Sequence, residues 1–172
     1  MYKSWTLEAS KRNLDISFHY VSSSPWLLAI LLYDWILEVQ LPIGTMHLKK
    51  FRLELFEPWG LDLTVFNLFR NPTKYKIAKL QSVLTNYPGR HFILIGDSSE
   101  KDPEIYGAVA RDHRGQVVCS LIRNVTSRPI FKPRLEVAFE AINITEFDVI
   151  NDADFRRPSL DDMKRYGNCG KF

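Results

Sequence analysis

An apolar run that stops at Gly-Asp constrains this 172-residue chain more than any other stretch. His91-Phe92-Ile93-Leu94-Ile95-Gly96-Asp97 follows Pro88-Gly89 and is rich in β-branched and aromatic residues, so it predicts a buried strand. In open α/β sheets ligands gather beyond the carboxyl ends of the strands, which is where Asp97 would stand. A second carboxylate, Asp102, follows five residues later. Two carboxylates from one strand-to-helix loop suit a hard divalent cation, since Mg²⁺ takes one or two protein carboxylates and leaves its other positions to water and phosphate. The same residues also read as a plain helix start, with Asp102 as N-cap, Pro103 at the first helical position and Glu104 in the first turn. The residues alone leave both readings open.

Length and composition bound the rest. With 45% hydrophobic and 25% charged residues the chain has enough apolar material for one buried core, and a single domain over 1–172 is expected, with 127–172 as a peripheral C-terminal part. A net charge of +3 suits an anionic ligand but gives no case for nucleic acid. The two cysteines, Cys119 and Cys169, form neither a disulfide framework nor a zinc spacing, so reduced thiols in a cytoplasmic chain are expected. No signal peptide opens the sequence, and the apolar stretch 26–41 carries Asp34, Glu38 and Gln40 and falls short of a membrane span, so it predicts a buried helix.

Strand and helix patterns alternate along the chain. An amphipathic helix over 1–13 precedes a strand over 16–21, which Ser22-Ser23-Ser24-Pro25 stops. The helix that Pro25 opens should run to about Gln40 and break at Pro42 and Gly44, before a half-exposed strand over 46–53. A short helix over 61–69 and a capped helix from Pro72 to Pro88 lead into the Gly-Asp strand. A helix over 103–113, a strand over 116–122, a helix over 135–141 and a last strand over 147–150 complete the series. Such alternation predicts a parallel, doubly wound α/β sheet.

Several of these stretches, in order and spacing, resemble one known family: Phe18-His19-Tyr20-Val21-Ser22-Ser23-Ser24-Pro25-Trp26, then Tyr75-Lys76-Ile77, then Phe92-Ile93-Leu94-Ile95-Gly96-Asp97-Ser98 with Asp102-Pro103-Glu104-Ile105-Tyr106, and Ile122-Arg123-Asn124-Val125-Thr126. The chain resembles the actin-patch type phosphatidate phosphatase catalytic domain of the haloacid dehalogenase superfamily. That resemblance implies a Rossmann-like, three-layer α/β/α domain with a mainly parallel sheet. It implies Mg²⁺ as cofactor and phosphatidate or another phosphomonoester as substrate, cleaved to diacylglycerol and phosphate through an aspartyl-phosphate. Ser22 becomes the hydroxyl that hydrogen-bonds a phosphate oxygen, and Lys76, with Lys74 as its nearby substitute, the ammonium that neutralises phosphoryl charge. Asp97 and Asp102 become the metal carboxylates.

One departure limits the carry-over. The superfamily's nucleophile lies in an Asp-x-Asp-x-Thr motif at the end of the first strand, and none precedes Ser22. Asp152-Ala153-Asp154 has the carboxylate spacing but continues with Phe155-Arg156, which reads as an acidic turn. The chain is therefore expected to lack its first central strand and to be inactive alone. The alternative is a non-catalytic remnant that binds phosphate, metal or a partner protein. Lys49, Lys50 and Arg52 around Phe51 read first as a solvated strand edge, and they could also make a peripheral contact with a membrane, at about 1 kcal/mol per basic residue near an anionic surface. His19, His47 and Arg123 stand at strand positions and read as structural.

Overall fold

The structure, a computed structural model, describes residues 2–50, 72–125, 132–142 and 147–151. The expected helix over 61–69 and the Asp152-Ala153-Asp154 turn lie outside the described residues. The chain divides into two compact units, 2–79 and 80–172. Both are α/β, and among the described residues every strand pair within them is parallel.

The first unit opens with α1 (Tyr2–Lys11) and continues through β1 (His19–Pro25), a 3₁₀ turn (Trp26–Leu28), α2 (Ala29–Glu38) and β2 (Thr45–Lys49). Trp5 and Ala9 bury the inner face of α1, and Tyr2 meets Trp5 and Phe18 edge-on at ring separations of 5.9 and 6.1 Å. The helix ends are set by backbone rather than by the proline and glycine downstream. Asn13 and Gln40 both take the left-handed conformation, at φ 55° and 57°. Leu14 N–H then bonds to the Ala9 carbonyl at 2.8 Å and Leu41 N–H to the Ile36 carbonyl at 2.9 Å, the six-to-one bond that closes a helix. So α2 stops before Pro42. Gly44 is needed for another reason, because a side chain there would run into the Phe18 carbonyl, which accepts the Thr45 N–H at 2.8 Å.

β1 pairs with β2 in a two-stranded sheet. His19 faces Thr45 and Val21 faces His47, but the next registered pair is Pro25 with Lys49, so Ser22 to Ser24 lie in an irregular bulge. Of α2, Ile36 is buried, whereas Ile30 and Leu31 stand 76% and 66% exposed, and Leu27 in the turn before it 72%. The apolar stretch 26–41 was expected to form a buried helix. It is helical but shows most of its apolar side chains to solvent, because hydrophobic residues all round a helix leave periodicity unable to say which face is covered.

α3 (Pro72–Asn86) runs through the boundary at Lys79, and its Leu80, Val83 and Leu84 belong to the core of the second unit. There β3 (Phe92–Asp97), α4 (Asp102–Asp112), β4 (Val117–Asn124), α5 (Lys132–Ala138) and β5 (Phe147–Asn151) follow. The sheet order is β3-β4-β5. β4 is central and carries the fully buried Cys119, Ser120, Leu121 and Ile122, the continuous apolar run expected of a parallel strand covered on both faces. α4 lays Ile105, Tyr106, Val109 and Ala110 into the same core. Gly107 lets α5 approach, since a side chain there would strike the Ala138 carbonyl, and Arg111 bonds that carbonyl at 2.8 Å.

Candidate functional site

The four candidate residues fall into two pairs, one in each unit. Asp97 ends β3, in register with Arg123 at the end of β4. Its Oδ1 accepts the Ser99 backbone N–H at 2.8 Å and also the Ser99 hydroxyl, so the chain turns sharply as it leaves the strand. Asp102 is 6% exposed, and its Oδ2 accepts the Asp97 backbone N–H at 3.3 Å. The second carboxylate thus folds back onto the strand end that bears the first. It starts α4 itself, with Lys101 at the N-cap position and no side-chain cap there. The N-cap reading of Asp102 thereby gives way to a carboxylate turned toward the strand.

Gly96 makes this approach feasible. A Cβ on it would lie 2.7 Å from the Tyr106 hydroxyl and 2.8 Å from the Asp102 Cβ. Tyr106 in turn donates to the Ile95 carbonyl at 2.8 Å, which fastens α4 to the end of β3. Ser98, 5% exposed, gives its N–H to the Arg123 carbonyl at 2.9 Å and accepts the Val125 N–H on its hydroxyl at 3.3 Å. An all-oxygen pair of carboxylates on one such loop fits a hard cation. Among the described residues no group of three or more His, Cys, Asp or Glu side chains forms a metal site, so water and phosphate would supply the remaining ligands.

In the first unit, Ser22 lies in the bulge at the carboxyl end of β1. Its hydroxyl donates to the Ser24 Oγ at 2.9 Å and accepts the Ser24 N–H at 3.1 Å. Ser23 donates to the Pro72 carbonyl at 3.4 Å, which brings the serine loop against the first turn of α3. Lys76 lies four residues after Pro72, on the same face of that helix. Beside it Tyr75 buries its hydroxyl with no hydrogen-bond partner among the described residues, and burial raises its pKa. Ser23 thereby ties the serine loop to the start of the helix that carries Lys76.

Two features escaped the sequence. Arg134 on α5 donates from Nε and Nη2 to the two carboxylate oxygens of Glu104 at 2.7 and 2.9 Å, and from Nη1 to the Ser98 carbonyl at 2.9 Å. Nη2 also reaches the Glu100 carbonyl. The hydrogen bond from Arg134, with its charge, holds the Glu104 pKa below the ordinary value against the opposing effect of burial. The other is a pair of imidazoles: His19 Nδ1 lies 3.0 Å from His47 Nε2 across the β1–β2 pair, with the rings stacked. Nothing in the spacing of residues 19 and 47 signals either ring's partner.

Parallel strands alternating with helices, one of them ending in a Gly-Asp turn, define an α/β protein. The sequence profile of the catalytic domain of phosphatidate phosphatase APP1 matches residues 1–124, and the chain belongs to that family. It is 30% identical over 109 residues to phosphatidate phosphatase APP1 of Saccharomyces cerevisiae, covering 63% of this chain and 17% of the relative. An uncharacterised protein of Schizosaccharomyces pombe is 28% identical over 116 residues, covering 67% and 18%. The chain thus spans less than a fifth of the length of these curated relatives. No solved structure matches it.

Proposed function

We propose that this chain is the phosphate- and metal-binding part of a Mg²⁺-dependent phosphatase domain of the haloacid dehalogenase type, acting on phosphatidate or a related phosphomonoester. The observation that carries the reading is the turn at the end of β3, where Asp97 is tied down by Ser99 and the buried Asp102 folds back against it. Mg²⁺ bound there would polarise a phosphoryl oxygen and neutralise charge that develops on it. Asp97 and Asp102 hold the ion, the Ser22 hydroxyl donates to a phosphate oxygen, and the Lys76 ammonium offsets phosphoryl charge. Phosphatidate is the substrate named for the yeast relative.

Breaking the ester through an aspartyl-phosphate needs a carboxylate nucleophile, and the 172 residues contain no Asp-x-Asp-x-Thr stretch. The chain alone therefore binds phosphate and metal without turnover until a nucleophile-bearing strand is supplied. Among the described residues β1 and β3 each stand at the edge of their sheet, which supports the addition of a strand at either. A peripheral membrane contact belongs to the same reading. Lys49 pairs in register with Pro25, the residue before the exposed Trp26 and Leu27, which supports a basic and apolar surface at this end of the strands. No helix among the described residues is long and apolar enough to cross a membrane.

The test is Mg²⁺-dependent phosphate release from phosphatidate vesicles by this chain and by the same chain extended with an Asp-x-Asp-x-Thr strand. We expect no release from the first and release from the second, abolished by Asp97→Asn and by Lys76→Ala. An extended, folded chain that releases nothing, or whose release ignores Asp97→Asn, would overturn the reading.

A further inference from the structure

We infer that Arg134 is the positioning residue of the aspartate loop, a role that rests on reading Asp97 and Asp102 as metal carboxylates. The loop between β3 and α4 is short, and its two ends carry the two acids. From the strand side it is fixed by β4, through the Ser98 N–H to the Arg123 carbonyl and the Val125 N–H to the Ser98 hydroxyl. Its other side is held by one guanidinium. Arg134 bonds the Ser98 carbonyl just after Asp97, the Glu100 carbonyl at the middle of the loop, and both oxygens of Glu104 just after Asp102.

A planar fork with five donors can span these acceptors at once, and an ammonium cannot. Arg134 touches no ligand in this arrangement. It acts by keeping two carbonyls between the acids, and the Glu104 carboxylate beyond Asp102, where they are, so that ion binding need not order the loop.

Two readouts test this on the 172-residue chain: Mn²⁺ binding followed by electron paramagnetic resonance, and hydrogen exchange of backbone amides over 97–102. Removing a hydrogen-bond partner of a metal ligand weakens metal binding by about 10- to 100-fold, and a residue that holds only the loop between two ligands falls at the lower end of that range. Arg134→Ala is expected to lower Mn²⁺ affinity in that range and to speed exchange across 97–102 while amides of β4 keep their protection. Arg134→Lys should restore neither. Glu104→Gln, which leaves the two carbonyl bonds of Arg134 in place, should show a smaller loss of the same kind and serves if Arg134→Ala does not fold. Unchanged exchange over 97–102 in Arg134→Ala, or full rescue by Arg134→Lys, overturns the proposal. If the unsubstituted chain takes up no Mn²⁺, the metal reading fails by itself, and the exchange comparison still decides whether Arg134 holds the loop.

Discussion

Gly96 carries no side chain because Asp102 and Tyr106 already occupy the space beside it. The Gly-Asp pair was legible in the sequence as a strand end, and the structure adds why the glycine stands there: it is the floor on which the second carboxylate rests. Gly96→Ala pushes against a buried carboxylate and a hydrogen-bonded tyrosine, neither of which can swing away into solvent. A loss of about 1–3 kcal/mol in unfolding free energy is expected, the range for an added methyl in a packed interior, with weaker Mn²⁺ binding alongside it. Urea titration of both proteins checks it, and equal midpoints would show that Asp102 yields. Arg134 was illegible for the opposite reason. Its partners are main-chain carbonyls and a carboxylate thirty or more residues earlier, and neither its own helix nor the Pro129 and Pro133 around it carries a pattern that points there.

Elements were read from punctuation and periodicity, and most formed close to where those signals lie: β3 after Pro88-Gly89, α4 at Pro103, and α3 starting at Pro72. β1 is the exception, starting at His19 and continuing through the serines to Pro25. Its pairing with β2 offsets the cost of the non-β residues, but the bulge at Ser22 to Ser24 leaves them out of register. Register also creates the His19–His47 pair. Burial lowers both pKa values below the ordinary 6.5, and His47 is lowered further by Lys79 and His19. The unfolded chain then binds protons more readily than the folded one just below pH 6.5, so the stability of the β1–β2 pair is complete above that pH and declines as pH falls. His19→Gln should flatten this decline in pH-dependent urea unfolding. An unaltered slope would place the effect elsewhere.

Over the whole molecule the buried apolar residues are unevenly shared. Trp5, Ala9, Ile36 and Leu48 form what the first unit buries among the described residues, whereas α3, α4, β3, β4 and α5 all contribute to the second. Sequence composition spoke only of a total sufficient for one core, and cannot say how that total is divided between sheets. Since stability follows local burial, the first unit should open at lower denaturant than the second, with β1 and β2 amides exchanging ahead of β3 and β4. A single coincident transition by fluorescence and exchange would contradict this. The course of α3 then acquires a consequence for protease digestion. Its first turns, with Lys74, Lys76 and Lys79, belong to the weaker unit, while Leu80, Val83 and Leu84 are anchored in the stronger. Brief trypsin treatment should therefore cut within this one helix and leave a resistant fragment beginning near Leu80, so that the carboxylate loop survives after the serine loop has been digested away.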